Sequence, residues 1–321
     1  MTTGPKITYA FKKILTGSDL SRRRLPFMAA ETGTDGPVVW LTACSHGDEV
    51  GGIVIIQEIF RAIRKQNFLD KGTIYAFPLM NPVGFEAQSR HIPYSKEDLN
   101  RSFPGNARGS VGERLADLIF RTIVETEPVL VIDLHTDWKR SIPYTLIDMD
   151  PGAEYSQAYR LAEDVAYQSG LLIIRDTELL PASLSHALHH RHISCLTLEL
   201  GESFVVNEKN ISVGVKSIEN IMAYLGMTAP LATAFQFPLP EFCRNRVLNY
   251  WQGPFAATSG IIRFLAKPGD IVKAGQPIAR IYNTFGKLQE TMKAREHGVV
   301  LGHTDSSVAF PGMPVMAFGI L

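Results

Sequence analysis

Cysteine is scarce in this chain of 321 residues: Cys44, Cys195 and Cys243 are odd in number and far apart. That excludes a disulfide framework and suits a reducing compartment. Surplus charge is also lacking, because 32 Lys and Arg balance 32 Asp and Glu for a formal net charge of zero. A dedicated nucleic-acid binder needs a basic excess to displace counterions from phosphates, and an acidic solvating tail needs the opposite excess. Long apolar runs are missing too. Stretches such as residues 37–44 and 129–134 fall far short of a bilayer span. The opening MTTGPKITYAFKK has no apolar core of the kind a secretory signal carries. The expectation is a soluble cytoplasmic protein that engages neither nucleic acid nor membrane, with a homo-oligomer left open.

What is present is enough apolar material for a real core, since 45% of residues are hydrophobic. The length fits one large domain or a large one plus a small one. From residue 37 to 225 strand and helix patterns alternate. Val38–Ala43, Thr73–Phe77 and residues 129–134, 171–175 and 195–200 read as strands. Residues 48–64, Val111–Val124, 153–168, 183–191 and 213–225 carry helical spacing. Strands joined by helical crossovers predict a mostly parallel sheet covered on both faces, an α/β/α sandwich. Residues 81–109 read as a long loop rich in Pro, Asn, Ser and charge, and a loop of that size inside a domain is usually functional. Beyond Met227 the pattern changes to short β-rich runs broken by Gly and Pro every few positions, which predicts a small all-β module. The expected division is 1–229 and 230–321.

Four motifs carry chemistry. Ser45-His46-Gly47-Asp48-Glu49 follows a strand and opens a helix, the carboxyl edge where α/β sheets bind ligands. His46 and Glu49, three apart on a first helical turn, can converge on one metal ion. The competing reading is a helix start whose acids serve the dipole. Next, Asp133-Leu134-His135-Thr136 places a His at the end of a buried strand. His, Glu and His on one sheet edge form a set seen in catalytic zinc sites. Asp133 is either a partner that orients a ligand imidazole or a plain strand-end hydrogen bonder. Third, Glu199 in Thr197-Leu198-Glu199-Leu200-Gly201 stands in an apolar strand. A carboxylate there is costly unless paired or functional, and it suits a general base; otherwise it is a salt-bridged strand residue. Fourth, the long loop carries Asn81-Pro82-Val83-Gly84-Phe85, then Arg90, then Asn100-Arg101-Ser102-Phe103-Pro104-Gly105. Arginine supplies a planar fork for a carboxylate, although each Arg alone also reads as solvated surface.

Together and in this order, HGDE, NPVGF, Arg90 with NR-x-FPG, DLHT and TLELG resemble the succinylglutamate desuccinylase/aspartoacylase family of the zinc carboxypeptidase clan. The resemblance implies a zinc-carboxypeptidase-like α/β fold and a hydrolase that removes the acyl group of a small, anionic N-acyl amino acid or related amine. It implies one zinc ion held by His46, Glu49 and His135, with Glu199 as catalytic acid/base. Arg90 would polarise the scissile carbonyl, and Asn100 and Arg101 would grip the substrate carboxylate. Through Lys267-Pro268-Gly269-Asp270 and Gly298-Val299-Val300 the tail resembles the barrel-sandwich tail of the bacterial deacylase branch. The chain departs from aspartoacylase in the wider spacing of Arg90 and Asn100. Residues 136–141 match no subfamily signature, and Tyr282 lies in the general region of a tail tyrosine that contacts substrate there.

Three other features read as ordinary structure. His186, His189, His190 and His192 lack a Cys or carboxylate to complete a metal set and read as a solvated helix end. Cys44 reads as a small buried hydrophobe. Glu290-Thr291-Met292-Lys293-Ala294 is similar to a biotin or lipoyl attachment sequence, yet the turn signal is Asn283-Thr284-Phe285-Gly286-Lys287. Lys293 therefore falls in the following strand, and the tail reads as a structural or gating module. The rival functions are a carboxypeptidase-like peptidase with the same ligands and a non-catalytic binding or carrier protein that uses the β tail.

Overall fold

The computed structural model describes residues 4–16, 22–66, 68–150, 152–244, 246–304 and 306–321; the first three residues of the opening segment lie outside these. Two strands precede the first expected one. β1 (Lys6–Thr16) and β2 (Arg22–Glu31) form an antiparallel hairpin at the edge of the main sheet. Tyr9 and Phe11 of β1 stay more than half exposed, so an edge strand with one solvated face shows no buried apolar run to mark it.

The expected alternation follows as β3 (Val38–Ala43), α1 (Gly51–Gln66), β4 (Thr73–Phe77), α2 (Pro82–Glu86), α3 (Val111–Val124), β5 (Leu130–His135), β6 (Arg140–Ser141), β7 (Tyr144–Ile147), α4 (Ser156–Gln168), β8 (Leu172–Arg175), α5 (Leu184–His189), β9 (Ser194–Glu199) and α6 (Glu208–Tyr224). β4, β3, β5 and β9 lie side by side and parallel; β7 runs antiparallel to β9 and parallel to β8. Side chains alternate across β5. Leu130, Ile132 and Leu134 join α1, α4 and α6 in one core, while Val131 packs with α3 and α5 on the other face. This is the three-layer α/β/α sandwich. The long loop is partly built, with α2 and a single 3-10 turn at Leu99–Arg101 inside it.

Helix α1 begins at Gly51, three residues later than the spacing predicts. The reason is packing: a Cβ on Gly52 would stand 2.8 Å from Ala43 Cβ and 2.9 Å from Leu134 Cβ, so the helix meets β3 and β5 at this residue. His46 and Glu49 thus sit in a turn ahead of the helix, closed by Glu49 N–H donating to His46 O at 3.1 Å.

The tail is all β: β10 (Val247–Gln252), β11 (Gly260–Phe264), β12 (Ile271–Val272), β13 (Pro277–Tyr282), β14 (Leu288–Lys293), β15 (Gly298–His303), β16 (Val308–Ala309) and β17 (Met316–Ile320). β10 pairs with β8, and β17, β15 and β12 follow it, so the tail extends the main sheet to thirteen strands. β11, β13, β14 and β16 form a second sheet over it. Lys293 ends β14, away from the 283–287 turn. The His-rich helix end differs from expectation. His189 is buried, and its Nε2 accepts from Cys195 N–H at 3.3 Å, because α5 packs on β9. His190 and His192 are exposed.

Candidate active site

Three strands deliver the expected residues to one edge. β3 ends at Ala43, and Cys44, with a φ of 57°, turns the chain sharply toward His46. A Cβ on Gly47 would fall 1.9 Å from the carbonyl carbon of Gly84, so the HGDE turn rests directly on the NPVGF turn and needs glycine there. β5 delivers His135, which is in register with Glu199 of β9. Tyr144 of β7 pairs with Glu199 from the other side.

Glu49 sits between the two imidazoles. Its Oε1 lies 2.6 Å from His46 Nδ1, and its Oε2 lies 2.9 Å from His135 Nδ1 and accepts from Thr136 N–H at 3.2 Å. Each ring is held from behind by a second carboxylate: His46 Nε2 is 3.0 Å from Asp98 Oδ1, and His135 Nε2 is 2.8 Å from Asp133 Oδ2. Thr42 Oγ1 donates to the other oxygen of Asp133 at 2.7 Å, which makes Asp133 the partner that orients an imidazole. Carboxylates behind metal-facing imidazoles fix the ring and raise its basicity. Burial disfavours the charged forms here, yet the carboxylates outweigh it and raise both imidazole pKa values, and the rings in turn hold Glu49 well below the usual carboxylate range. Donor atoms of His46, Glu49 and His135 all lie within 4.8 Å of one another, and they are the only such His, Cys, Asp or Glu group among the described residues. Two Nδ1 atoms and a carboxylate converging on one point, with both Nε2 atoms occupied, fit a divalent metal.

The surrounding groups are uneven in charge. Arg90 donates from Nη2 to Asp98 Oδ2 at 3.2 Å, and its Nη1 stands 3.6 Å from Glu49 Oε1. Although burial opposes it, the hydrogen bond from His46 and the charges of Arg90 and Arg101 hold Asp98 well below the carboxylate range. Asn100 Oδ1 accepts from Leu184 N–H at 2.9 Å, leaving its amide N–H groups on the cavity side near His135. Arg101 donates to Asn100 O at 2.7 Å. Burial, and next to it the charge of Asp137, pushes the Glu199 carboxyl well above its ordinary value, and Glu199 Oε2 has no hydrogen-bond partner. Burial also drives Asp137 up to about 7, although Tyr144 OH donates to its Oδ2 at 2.7 Å and works the other way. A carboxyl with a raised pKa beside a metal-binding cluster can, as the carboxylate, take a proton and then return it as the acid.

All seven expected residues line one cavity of about 460 Å³: His46, Glu49, His135 and Glu199 at its floor, with Arg90, Asn100 and Arg101 on the loop side. Tyr282 is not among its walls. The tail enters instead through Tyr250, Trp251 and Phe255, because β10 is the tail strand that joins the main sheet. Asp98, Asp137 and Tyr250 were not singled out in the sequence. Asp98 could have been noticed as the acid that opens the D-L-N-R turn; Tyr250 carries no local signal.

The fold and the cluster define an α/β/α protein with a candidate metal centre at the carboxyl edge of its sheet. Residues 35–225 match the family model described as the succinylglutamate desuccinylase/aspartoacylase catalytic domain, and the chain belongs to that family. Among curated proteins it is 27% identical, over 81% of its own length and 74% of the relative's, to N-alpha-acetyl-L-2,4-diaminobutyric acid deacetylase of Halomonas elongata. The product-bound ectoine utilization protein EutE (DoeB) of Ruegeria pomeroyi superposes with a TM-score of 0.82 at 20% identity, covering 99% of this chain and 96% of that one. A succinylglutamate desuccinylase from a Silicibacter species gives 0.83 at 19% identity over 99% and 95%. The whole architecture, tail included, is therefore shared. Among the described residues no helix is long and apolar enough to cross a membrane.

Proposed function

We propose that this chain is a zinc-dependent deacylase, with one ion per chain, that hydrolyses the amide bond of a small N-acyl amino acid or related N-acylated amine. One observation carries this reading: His46 and His135 turn Nδ1 toward Glu49 while Asp98 and Asp133 hold their Nε2 atoms, and Glu199, in register with His135, has an Oε2 without a hydrogen-bond partner. Zinc at that point supplies Lewis acidity toward a carbonyl oxygen and a more acidic water. Glu199 accepts the proton of the attacking water and returns it to the departing nitrogen, a role suited to a carboxyl whose pKa burial has raised. Arg90 reaches the metal-facing side of Glu49 and holds the developing oxyanion. The Asn100 amide N–H on the cavity side and the Arg101 guanidinium take the carboxylate of an anionic substrate.

Walls from Tyr250, Trp251 and Phe255 favour a small substrate over an extended peptide. The deacetylase named among the relatives makes acetylated amino acids the first substrates to try. The same reading assigns residues 1–229 to the hydrolase unit and 230–321 to a β tail that closes the site, and it places the protein in the cytoplasm, in keeping with three free, buried cysteines. The test is amine release from a panel of acetyl, succinyl and other acyl amino acids, with dipeptides alongside, with and without chelator. Glu199→Gln should keep its zinc and lose about 100-fold or more in turnover. A fully active Gln variant would remove the general base, and chelator-resistant turnover would remove the metal. Cleavage of dipeptides alone would favour a peptidase.

A further inference from the structure

The segment that leaves His135 ties the metal cluster to the tail. Thr136 N–H is held by Glu49 Oε2 at 3.2 Å. Two residues on, Trp138 rests against β15, where a Cβ on Gly302 would stand 2.6 Å from its Cδ1. Arg140 and Ser141 pair with His303 and Gly302 of the same strand, and Ile142 N–H donates to Leu301 O at 2.9 Å. Trp138 O also accepts from Glu202 N–H at 3.0 Å, just past the end of β9. The backbone is thereby fixed on both sides of Asp137.

The Asp137 side chain meets a row of three others. His135, Glu199 and Tyr144 are direct neighbours on β5, β9 and β7, so Glu199 stands between a metal-facing imidazole and a tyrosine. Side chains opposite one another on paired strands start about 4.5–5.5 Å apart at Cβ, within a tyrosine's reach of its neighbour's carboxylate. Tyr144 is 1% exposed, and a buried tyrosine hydroxyl takes a hydrogen-bond partner. Two carboxylates are on offer, and Asp137 has the bond. Tyr144 Oη donates to Asp137 Oδ2 at 2.7 Å, whereas Glu199 Oε2 accepts nothing. Buried polar atoms are nearly always satisfied, so the bare Glu199 oxygen needs a cause, and the capture of its neighbour's hydroxyl supplies one. Tyr250 of β10 donates to the same Asp137 oxygen at 3.4 Å, and Thr177 Oγ1 holds its carbonyl at 3.0 Å. Asp137, Tyr144, Glu199 and Tyr250 all line the cavity.

We propose that Asp137 is a positioning residue: it draws the hydroxyls of Tyr144 and, from the tail, Tyr250 onto itself and so keeps the Glu199 carboxyl free for proton transfer. This rests on the deacylase reading for the reaction and adds a residue outside the motifs that identify the family. A hydroxyl donated to Glu199 would favour its charged form and occupy an oxygen that has to take the proton from water. In Asp137→Leu, which accepts nothing, Tyr144 loses its acceptor, and Glu199 is the strand neighbour left to it.

A rescue experiment tests it in the zinc-loaded protein. Asp137→Leu should lower kcat about tenfold or more, while KM for the best acyl amino acid changes less than about threefold. Removing the released hydroxyl as well, in Asp137→Leu/Tyr144→Phe, should raise kcat about fivefold or more above Asp137→Leu. A merely structural defect would be deepened by a second buried substitution, not relieved. Asp137→Asn keeps an oxygen acceptor and should stay within about threefold of the parent. Asp137→Ala replaces the Leu variant if that one does not fold. A double variant no faster than Asp137→Leu overturns the proposal, and so does an Asn variant as slow as the Leu one. Crystal structures of the metal-free variants give a readout without turnover: Tyr144 Oη should lie about 2.5–3.0 Å from a Glu199 oxygen in Asp137→Leu and remain on residue 137 in Asp137→Asn. Any other place for that hydroxyl in Asp137→Leu overturns the proposal. If the parent protein hydrolyses no acyl amino acid, the deacylase reading fails, and the two crystal structures still decide where Asp137 directs the hydroxyl.

Discussion

The carboxylates behind the two imidazoles give the sharpest test of the site. Asp98→Asn and Asp133→Asn are nearly isosteric, and each keeps an oxygen that can accept from the Nε2–H of its histidine while removing the charge. A hydrogen bond to a charged group contributes about 1.5–3 kcal/mol against about 1 for a neutral one, so each change should cost about 0.5–2 kcal/mol of metal binding. That corresponds to zinc affinity weaker by about 2- to 30-fold, overlapping the range of about 10- to 100-fold typical of such partners. The loss should be larger at Asp133, whose side chain is 2% exposed against 15% for Asp98, because water screens it less. The two variants then diverge. Asp98 also anchors Arg90 at 3.2 Å, whereas Asp133 bonds Thr42 and His135. At saturating zinc, Asp98→Asn should therefore retain a low kcat while Asp133→Asn recovers most of it. Competition with a chromophoric chelator gives the affinities, and steady-state kinetics at saturating zinc gives kcat. Zinc affinities within about twofold of the parent in both variants would refute the idea that these carboxylates hold the rings for a metal.

Gly47→Ala should displace the HGDE turn, since its Cβ would meet Gly84 backbone at 1.9 Å; a loss of about 3 kcal/mol is expected, seen as a lower Tm together with weaker zinc binding, and an unchanged melt would refute the contact. Asp137→Asn should raise the stability of the metal-free protein in a pH-dependent way. Burial raises the Asp137 pKa from 3.8 to about 7, so its neutral form is favoured in the folded state and the stability it contributes is full below about pH 4 and lost as pH rises through 7. The advantage of the Asn variant should therefore grow across that window in thermal melts, and a constant difference would count against it.

The candidate site was legible where its residues stand at the end of an apolar strand. His135 and Glu199 end β5 and β9, whose buried runs announce themselves, and the Gly47 and Gly52 contacts leave a readable pattern of small residues around His46 and Glu49. What escaped is what local pattern cannot encode. Asp98 is 52 residues from the His46 it supports, inside a loop whose course depends on its 3-10 turn. The Tyr250 hydroxyl approaches Asp137 across 113 residues, and only the pairing of β10 with β8 brings it there. The hairpin of β1 and β2 went unread because its edge strand leaves Tyr9 and Phe11 in solvent.

The same division explains why charge misled at the level of composition. A net charge of zero over the chain is compatible with any local arrangement, and here the signs are sorted along a single cavity. Two arginines and an asparagine line it from one loop, while Asp148, Asp176 and Glu178 line it from the segments that follow β7 and β8. The motifs that identify the family contain only the first group. The acids lie outside every motif, on the segments that follow β7 and β8, and it is such particular side chains, rather than the fold, that give a site its chemistry.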